Sequence, residues 1–218
     1  MIFLSLKTYK EASGEAVIKL LSMAKQVSEE TGVPIIPCAQ ATDIYRIKQE
    51  LKIEVWAQHL DPIDPGRNFG WISPYSLKLA GAEGAVINHA EHAVDKDTIK
   101  QTIDMAKKYG LKTLVICETI KLAKQVTLWQ PDYIAYERAD LIAGTISMID
   151  EEEASVKQLA QIIKQPLIVG AGISTQDHVK KTLRAGGQGV ILASAVVKAD
   201  NPKAKLRELA NGFKYHAG

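Results

Sequence analysis

The feature that most constrains this fold is a repeated alternation of short apolar runs with helix-compatible stretches along the 218 residues. The runs do not alternate apolar with polar residues, which is the pattern of parallel strands buried on both faces. There are eight such runs, and a helix-compatible stretch follows each. We predict strands at Ile2–Leu6, Val33–Ile36, Ile53–Ala57, Gly84–Ile87, Lys112–Ile116, Tyr133–Tyr136, Pro166–Val169 and Gly189–Ala193.

The stretches between the runs carry helix signals. In the first, apolar residues at spacings of three and four form one face; they are Val17, Leu20, Leu21, Ala24 and Val27. A later one opens with Asp95 as an N-cap and closes with Gly110 as a C-cap. The remaining predicted helices are Asp43–Leu51, Pro74–Ala80, Asp95–Tyr109, Thr119–Leu128, Asp150–Gln165, Ser174–Ala185 and Asn201–Tyr215.

Strand–helix alternation with no composition shift and no Pro/Gly/Ser linker indicates parallel strands surrounded by helices. Eight such units in roughly 200–250 residues have the size of a closed (β/α)₈ barrel. An open doubly wound sheet is the alternative, but no G-x-G-x-x-G follows the first run. We therefore predict an α/β fold, a single (β/α)₈ TIM barrel domain over residues 1–218.

Composition excludes several classes of protein. The net charge is +2 with no basic tract, so no nucleic-acid partner is expected. No apolar run approaches the ~20 residues of a membrane span, and the N-terminus lacks a signal-peptide pattern. Two cysteines, Cys38 and Cys117, without a CxxC indicate a reducing compartment. These observations predict a cytoplasmic protein.

The sixth predicted strand, Tyr133–Tyr136, is followed directly by Glu137. A carboxylate at this position points to the site that the strand ends build in a barrel. The loop over 138–145, which contains Ala143 and Gly144, is rich in small and apolar residues and is predicted to close over a substrate. An ordinary ion-paired Glu is the alternative for this residue taken alone.

The loops after strands 7 and 8 carry the strongest chemical signal. Gly170–Ser174 contains two glycines, which let backbone N–H groups approach an anion. Leu192–Val197 indicates a strand end that continues into a short helical turn. Phosphate sites in these barrels are often built from these two loops. Small residues that merely permit tight turns are the alternative, but both loops share the feature, which favours a phosphate-bearing ligand.

Other strand ends add three groups with matching chemistry. Glu137 is a candidate base for a C–H next to a carbonyl, and His89 is a candidate hydrogen-bond donor to that carbonyl oxygen. Lys7 is a candidate for stabilising the negative charge that develops. Taken alone, a histidine such as His89 more often has a structural role, and a lysine such as Lys7 more often lies at the protein surface.

A metal site fits the pattern less well. His59 and His89, with Glu91 or Glu137, have the chemistry of zinc ligands but not the close spacing. We therefore predict no metal.

The residues at these strand ends resemble those of triosephosphate isomerases of the short archaeal type, over essentially the full length. The matching motifs are Leu6-Lys7-Thr8-Tyr9, Ala57-Gln58-His59-Leu60-Asp61-Pro62, Asn88-His89-Ala90-Glu91, Tyr136-Glu137, Gly170-Ala171-Gly172-Ile173-Ser174-Thr175, and Leu192-Ala193-Ser194 with Val197-Lys198-Ala199. Their order along the chain makes the resemblance specific.

The resemblance implies cofactor-free interconversion of dihydroxyacetone phosphate and glyceraldehyde 3-phosphate, a step of glycolysis and gluconeogenesis. It implies Glu137 as the base, His89 as a neutral electrophile and Lys7 as the electrostatic group, a mechanism long established for this family. It also implies a homodimer or homotetramer. The residues that it places at the substrate are Ser5, Leu6, Ile142, Gly172, Ala193 and Ser194.

Four positions depart from the family pattern. The family usually has Asn at Ser5, Ser at Ala90, Pro at Arg138 and, after strand 3, an intersubunit Thr near Phe69. Arg138 in place of Pro is expected to loosen one end of the lid, because proline fixes φ. Ala90 removes a resting partner for Glu137. Phe69 and Trp71 are apolar for an exposed loop and are predicted to be buried between subunits.

The departures leave three functional hypotheses. The first is a working triosephosphate isomerase, with a lower rate than its relatives. The second is a paralogue that acts on another small sugar phosphate. The third is a non-catalytic protein that binds a phosphorylated ligand, against which the retained Glu137 and His89 argue.

Overall fold

Eight parallel strands follow one another in chain order and close into a barrel, in which the first strand pairs with the last. This computed structural model describes residues 1–142 and 146–214. The predicted (β/α)₈ barrel is confirmed. The strands are β1 (Ile2–Ser5), β2 (Ile35–Ala39), β3 (Trp56–Ala57), β4 (Gly84–Ile87), β5 (Lys112–Cys117), β6 (Tyr133–Tyr136), β7 (Leu167–Val169) and β8 (Gly189–Leu192).

Helices cover the outside of the barrel. Within the described ranges they are α1 (Glu15–Thr31), α2 (Ala41–Leu51), α3 (Pro74–Leu79), α4 (Lys96–Lys108), α5 (Ile120–Val126), α6 (Met148–Glu151), α7 (Glu153–Ile162), α8 (Gln176–Arg184), α9 (Ser194–Val197) and α10 (Pro202–Asn211). The predicted N-cap of α4 is present, since the Asp95 side chain accepts from the Thr98 N–H. Gly110 follows its C-cap Tyr109 in the left-handed conformation that suits glycine. No helix in the described ranges is long and apolar enough to cross a membrane.

Some predicted boundaries differ from the structure. The stretch predicted as one helix over 150–165 forms α6 and α7, because Glu152 leaves the helical conformation (φ −123°, ψ 28°) between them. Strand β3 begins late, since the Ile53 carbonyl accepts from the Lys48 ammonium instead. Strand β2 also begins late, because the Ser28 hydroxyl donates to the Val33 carbonyl. The predicted end of the last helix, Tyr215, lies outside the described residues.

The core has two layers because strand side chains alternate between the two faces of the sheet. Phe3, Trp56 and Tyr133 fill the barrel interior with edge-to-face ring contacts, at centroid distances of 5.2–5.8 Å. Gly84 makes room for them, since a Cβ there would lie 2.5 Å from the Trp56 ring. The other layer lies between the strands and the helices and includes Ile2 and Leu4. The filled interior leaves the carboxyl ends of the strands as the place for a site.

Candidate active site

Two adjoining cavities lie at the carboxyl ends of the strands. The smaller, of about 300 Å³, is lined by most of the residues that the sequence predicts for a site. The larger, of about 500 Å³, lies on the side of β2 to β4 and shares four residues with the smaller one. Predicted site residues that line the smaller cavity are Ser5, Lys7, His89, Glu137, Ile142, Gly172, Ala193 and Ser194.

Leu6 is the one predicted site residue whose side chain lies elsewhere. It is fully buried and belongs to the layer between the barrel and the helices. The strand alternation explains this, because Ser5 and Lys7 face the cavity and the residue between them must face outward.

Lys7 stands just beyond β1 in a left-handed conformation (φ 47°), which is uncommon for a residue with a side chain. The Gln58 side chain donates to the Lys7 carbonyl at 2.9 Å and to the Cys38 carbonyl at 3.0 Å. The Lys7 ammonium pairs with Glu91 at 2.5 Å. The sequence placed Glu91 at a strand end but did not predict this pairing. The hydrogen bond to the Lys7 carbonyl and the ion pair with Glu91 offset the strain of the left-handed Lys7 backbone, which is on the order of 1–3 kcal/mol.

His89 follows β4 and has a defined tautomer. Its Nδ1 accepts from the Glu91 N–H at 3.0 Å, so a neutral ring carries its proton on Nε2. Burial lowers the His89 pKa, and the positive charge of Lys7 lowers it further. The neighbouring Asn88 fixes the turn, since its side chain donates to the Ile116 carbonyl and accepts from the Val94 N–H. His89 therefore presents a neutral N–H donor to the cavity.

Glu137 lies directly after β6 and is buried. Its Oε1 accepts from the Ala171 N–H at 3.0 Å, and within the described part of the chain its Oε2 has no hydrogen-bond partner. Burial raises the pKa of Glu137 to about 7, while the Lys7 charge and the Ala171 N–H act in the opposite direction. Oε2 lies 3.7 Å from Nε2 of His89, which is not an ion pair while the imidazole is neutral. A buried carboxylate with a free oxygen and a raised pKa has the properties of a general base.

The sequence did not predict how β7 holds this carboxylate. Ala171 adopts a left-handed conformation (φ 67°) and directs its N–H at Glu137. Gly170 makes the approach possible, because a Cβ there would lie 2.8 Å from Glu137 Oε1. In the structure the Ala171 N–H is the hydrogen-bond partner of Glu137. The family usually has Ser in place of Ala90, which implied a hydroxyl as that partner.

Next to Glu137, the part of the smaller cavity at the ends of β7 and β8 consists of backbone and small side chains. Gly172 has φ 68°, and a Cβ there would lie 2.3 Å from the Ile146 carbonyl oxygen, so only glycine fits. Ala193 and Ser194 line the same wall where β8 passes into α9. Lys7 lines the same cavity and supplies a positive charge there. Such a surface suits a phosphate group. The predicted loop residues Ala143, Gly144 and Thr145 lie outside the described residues.

Other predicted groups lie away from this chemistry. His59 lines the larger cavity, where its Nε2 lies 3.1 Å from Asp61 Oδ1 and its ring stacks on His92. Residues 1–142 and 146–214 contain no cluster of three or more His, Cys, Asp or Glu side chains suited to a metal ion. Cys38 and Cys117 are buried, which raises the pKa of both thiols.

Comparison with known proteins gives concordant matches. The family model described as triosephosphate isomerase matches residues 1–211. The triosephosphate isomerase of Methanobacterium bryantii is 38% identical over 216 residues, which cover 97% of this chain and 96% of that protein. The triosephosphate isomerase of Methanocaldococcus jannaschii is 38% identical over 215 residues, covering 96% and 98%. The crystal structure of triosephosphate isomerase from Bartonella henselae superposes with a TM-score of 0.72 at 18% identity, covering 98% of each chain, and supports the fold.

Proposed function

The chain belongs to the triosephosphate isomerase family, and we propose that it interconverts dihydroxyacetone phosphate and glyceraldehyde 3-phosphate. The observation that carries this proposal is the geometry of Glu137 and His89. Oε2 of the buried Glu137, which accepts no hydrogen bond within the described residues, lies 3.7 Å from Nε2 of a neutral His89, and both side chains line a cavity of about 300 Å³. A three-carbon phosphate is of a size to fit in this cavity with its reacting carbons against both groups.

The reaction divides between these groups in a series of proton transfers. Glu137 removes a proton from the carbon next to the carbonyl; the electron pair of that C–H bond forms a C=C bond, and the π pair of the carbonyl moves to its oxygen to give an enediolate. The Nε2–H of His89 donates to that oxygen as its charge grows. Glu137 then returns the proton to the neighbouring carbon, and the hydroxyl proton on the oxygen of the first carbon passes to the oxygen anion of the second, with Nε2 of His89 as the relay. Electrons move only within the substrate, so no oxidant, reductant or other co-reactant takes part.

The phosphate is assigned to the wall formed by Gly172, Ala193 and Ser194, with Ile142 beside it. Backbone N–H groups there donate to the phosphate oxygens, and Lys7 balances part of the negative charge. Ser5 lines both cavities. This arrangement places the reacting carbons toward Glu137 and the phosphate toward β7 and β8.

Assembly and location are further parts of the proposal. We place the protein in the cytoplasm as a homodimer or homotetramer, with residues 1–218 as one domain. Phe69 is fully exposed and Trp71 is more than half exposed, and burying each would stabilise a contact by about 1.5–3 kcal/mol. The larger cavity, next to Lys7 and His89, is the surface against which the Phe69 loop of a second copy would pack.

The testing experiment is a coupled assay of glyceraldehyde 3-phosphate isomerisation. Wild type is expected to turn over, and Glu137→Gln is expected to lose at least ~1000-fold in kcat, because an amide cannot accept the proton. Glu118→Gln serves as the matched control, since Glu118 is a carboxylate after the neighbouring strand β5. A folded wild type without turnover, or an active Glu137→Gln variant, would refute the proposal.

A further inference from the structure

Arg138, the residue after the proposed base, bridges two elements. Its Nη1 donates to Glu152 Oε1 at 2.6 Å, and Nε and Nη2 donate to the two oxygens of Asp140 at 3.0 and 2.5 Å. The Asp140 pair is local, at two residues' distance along the chain. The Glu152 pair spans 14 residues and joins the end of β6 to the start of α7. The guanidinium therefore ties the turn that carries Glu137 to a rigid helix.

The residue before the base leads to the same helix. Tyr136 is buried, which raises the pKa of its phenol, and interaction with the Ser155 side chain in the first turn of α7 lowers that pKa in part. Ser155 in turn donates to Glu152 Oε2 at 2.5 Å. Side chains at successive strand positions point to opposite faces. Tyr136 and Arg138 are thus held on the outer side of the barrel, and Glu137 points inward between them.

Few hydrogen bonds in the described ranges fix the position of the Glu137 carboxylate itself. Of the hydrogen bonds in the described ranges, one reaches the Glu137 carboxylate, from the Ala171 N–H, and Oε2 accepts none. Its position therefore depends on the backbone at residues 136–138. About a third of the Arg138 side chain and a quarter of Glu152 are exposed, so their pairing is less screened than one on the open surface.

We propose that Arg138 and Glu152 form a positioning pair for the Glu137 carboxylate, in which the ion pair sets the backbone turn that aims the base at the substrate. The pair does not touch the reacting atoms. This inference rests on the proposed isomerase function, because the readout is the proton transfer by Glu137. A displacement of the base by ~1 Å is enough to reduce a rate by up to 100-fold.

The test compares steady-state kinetics and thermal unfolding of single and double variants. Arg138→Ala and Glu152→Gln are each expected to lower kcat about tenfold with KM within about twofold of wild type. The double variant should lose no more than either single variant, since both remove one interaction. Arg138→Lys, which keeps a cation for Glu152, should recover part of the loss.

Arg207→Ala is the matched control for lost stability. Arg207 makes an ion pair with Glu30 at 2.5 Å, between α10 and α1 and away from the cavity. Its variant should match Arg138→Ala in midpoint of unfolding but retain kcat. Wild-type turnover with unchanged kcat in Arg138→Ala and Glu152→Gln, or multiplicative losses in the double variant, would overturn the positioning pair and leave the isomerase intact. A wild type without turnover would overturn both.

Discussion

Nε2 of His89 and Oε2 of Glu137 face each other at 3.7 Å, and a backbone N–H holds the far side of each group. The Glu91 N–H fixes the imidazole through Nδ1, and the Ala171 N–H fixes the carboxylate through Oε1. Within the described residues Oε2 of Glu137 accepts no hydrogen bond, and both side chains line the smaller cavity. A substrate placed there meets a proton acceptor on one side and a hydrogen-bond donor on the other.

The raised pKa of Glu137, about 7, predicts an acid limb in the pH profile of the free enzyme. As pH rises through 7 the carboxylate loses its proton, so kcat/KM should rise with a midpoint near that value and fall about tenfold per unit below it. Glu91→Gln removes a negative charge that raises this pKa, and its midpoint should lie at lower pH. A wild-type midpoint near 4.5 would contradict the prediction.

The same shift predicts a change in stability. The folded protein binds the Glu137 proton more tightly than the unfolded chain, so the free energy of unfolding falls as pH rises from 4.5 to about 7. Glu137→Gln removes this term. Urea denaturation should show the variant to be about 3 kcal/mol more stable than wild type at pH 8 and nearly equal to it at pH 4. Equal stability of the variant and the wild type at both pH values would show that burial of the charged carboxylate costs little free energy.

Gly172 can be tested against a glycine of similar backbone geometry. Gly172→Ala places a Cβ 2.3 Å from the Ile146 carbonyl, so the backbone proposed to bind the phosphate must shift and KM should rise at least ~10-fold. Gly32 has a similar φ of 72°, but a Cβ added there would meet nothing within 4 Å. Gly32→Ala should therefore lose about 1 kcal/mol of stability and keep its KM. A comparable KM in the two variants would argue against a phosphate at Gly172.

His89 has a natural control in His92, which lies nearby but stacks on His59 in the larger cavity. His89→Gln should lose roughly 100–1000-fold in kcat, the usual effect of removing one oriented donor to a developing oxyanion. His92→Gln should stay within about threefold of wild type by the same coupled assay. Similar losses in both variants would mean that the cavity rim matters more than the donor.

The exposed aromatic side chains of the loop after β3 predict assembly. Phe69→Ser should weaken the oligomer by about tenfold or more in dissociation constant, since the buried ring contributes about 1.5–3 kcal/mol. Tyr45→Ser is the control, because Tyr45 is an aromatic residue on α2 that is also exposed. Light scattering at micromolar concentration provides the measurement. A monomeric wild type would contradict the assembly.

The barrel was predictable because its signals are local. Apolar runs such as Gly84–Ile87 and Tyr133–Tyr136 coincide with the observed strands, and each depends only on burial of the strand itself. The predicted ends of some strands were wrong where a side chain donates a hydrogen bond to a backbone carbonyl of the predicted strand, as Lys48 does to Ile53. Such contacts depend on the tertiary structure and leave no periodic trace in the sequence.

The site was predictable in its members and much less so in its internal bonds. The strand-end rule brought Lys7, His89 and Glu137 to one cavity. The family resemblance also implied Leu6 at the substrate, but the strand alternation turns its side chain outward. The N–H of Ala171 on Glu137 was not foreseen, because it arises from a left-handed turn that the sequence around an alanine does not signal.

The pairing of β1 with β8 has a consequence for the order of events during synthesis. Ile2 pairs with Val190, so the seam joins residues 188 positions apart. Until the ribosome has released the segment around residue 192, β1 has an unpaired edge on that side. Exposed parallel edges and long-range pairing favour slow folding and association with other chains. The nascent chain is therefore expected to depend on chaperones that bind unfolded chains late in translation, after seven of its eight strands have emerged.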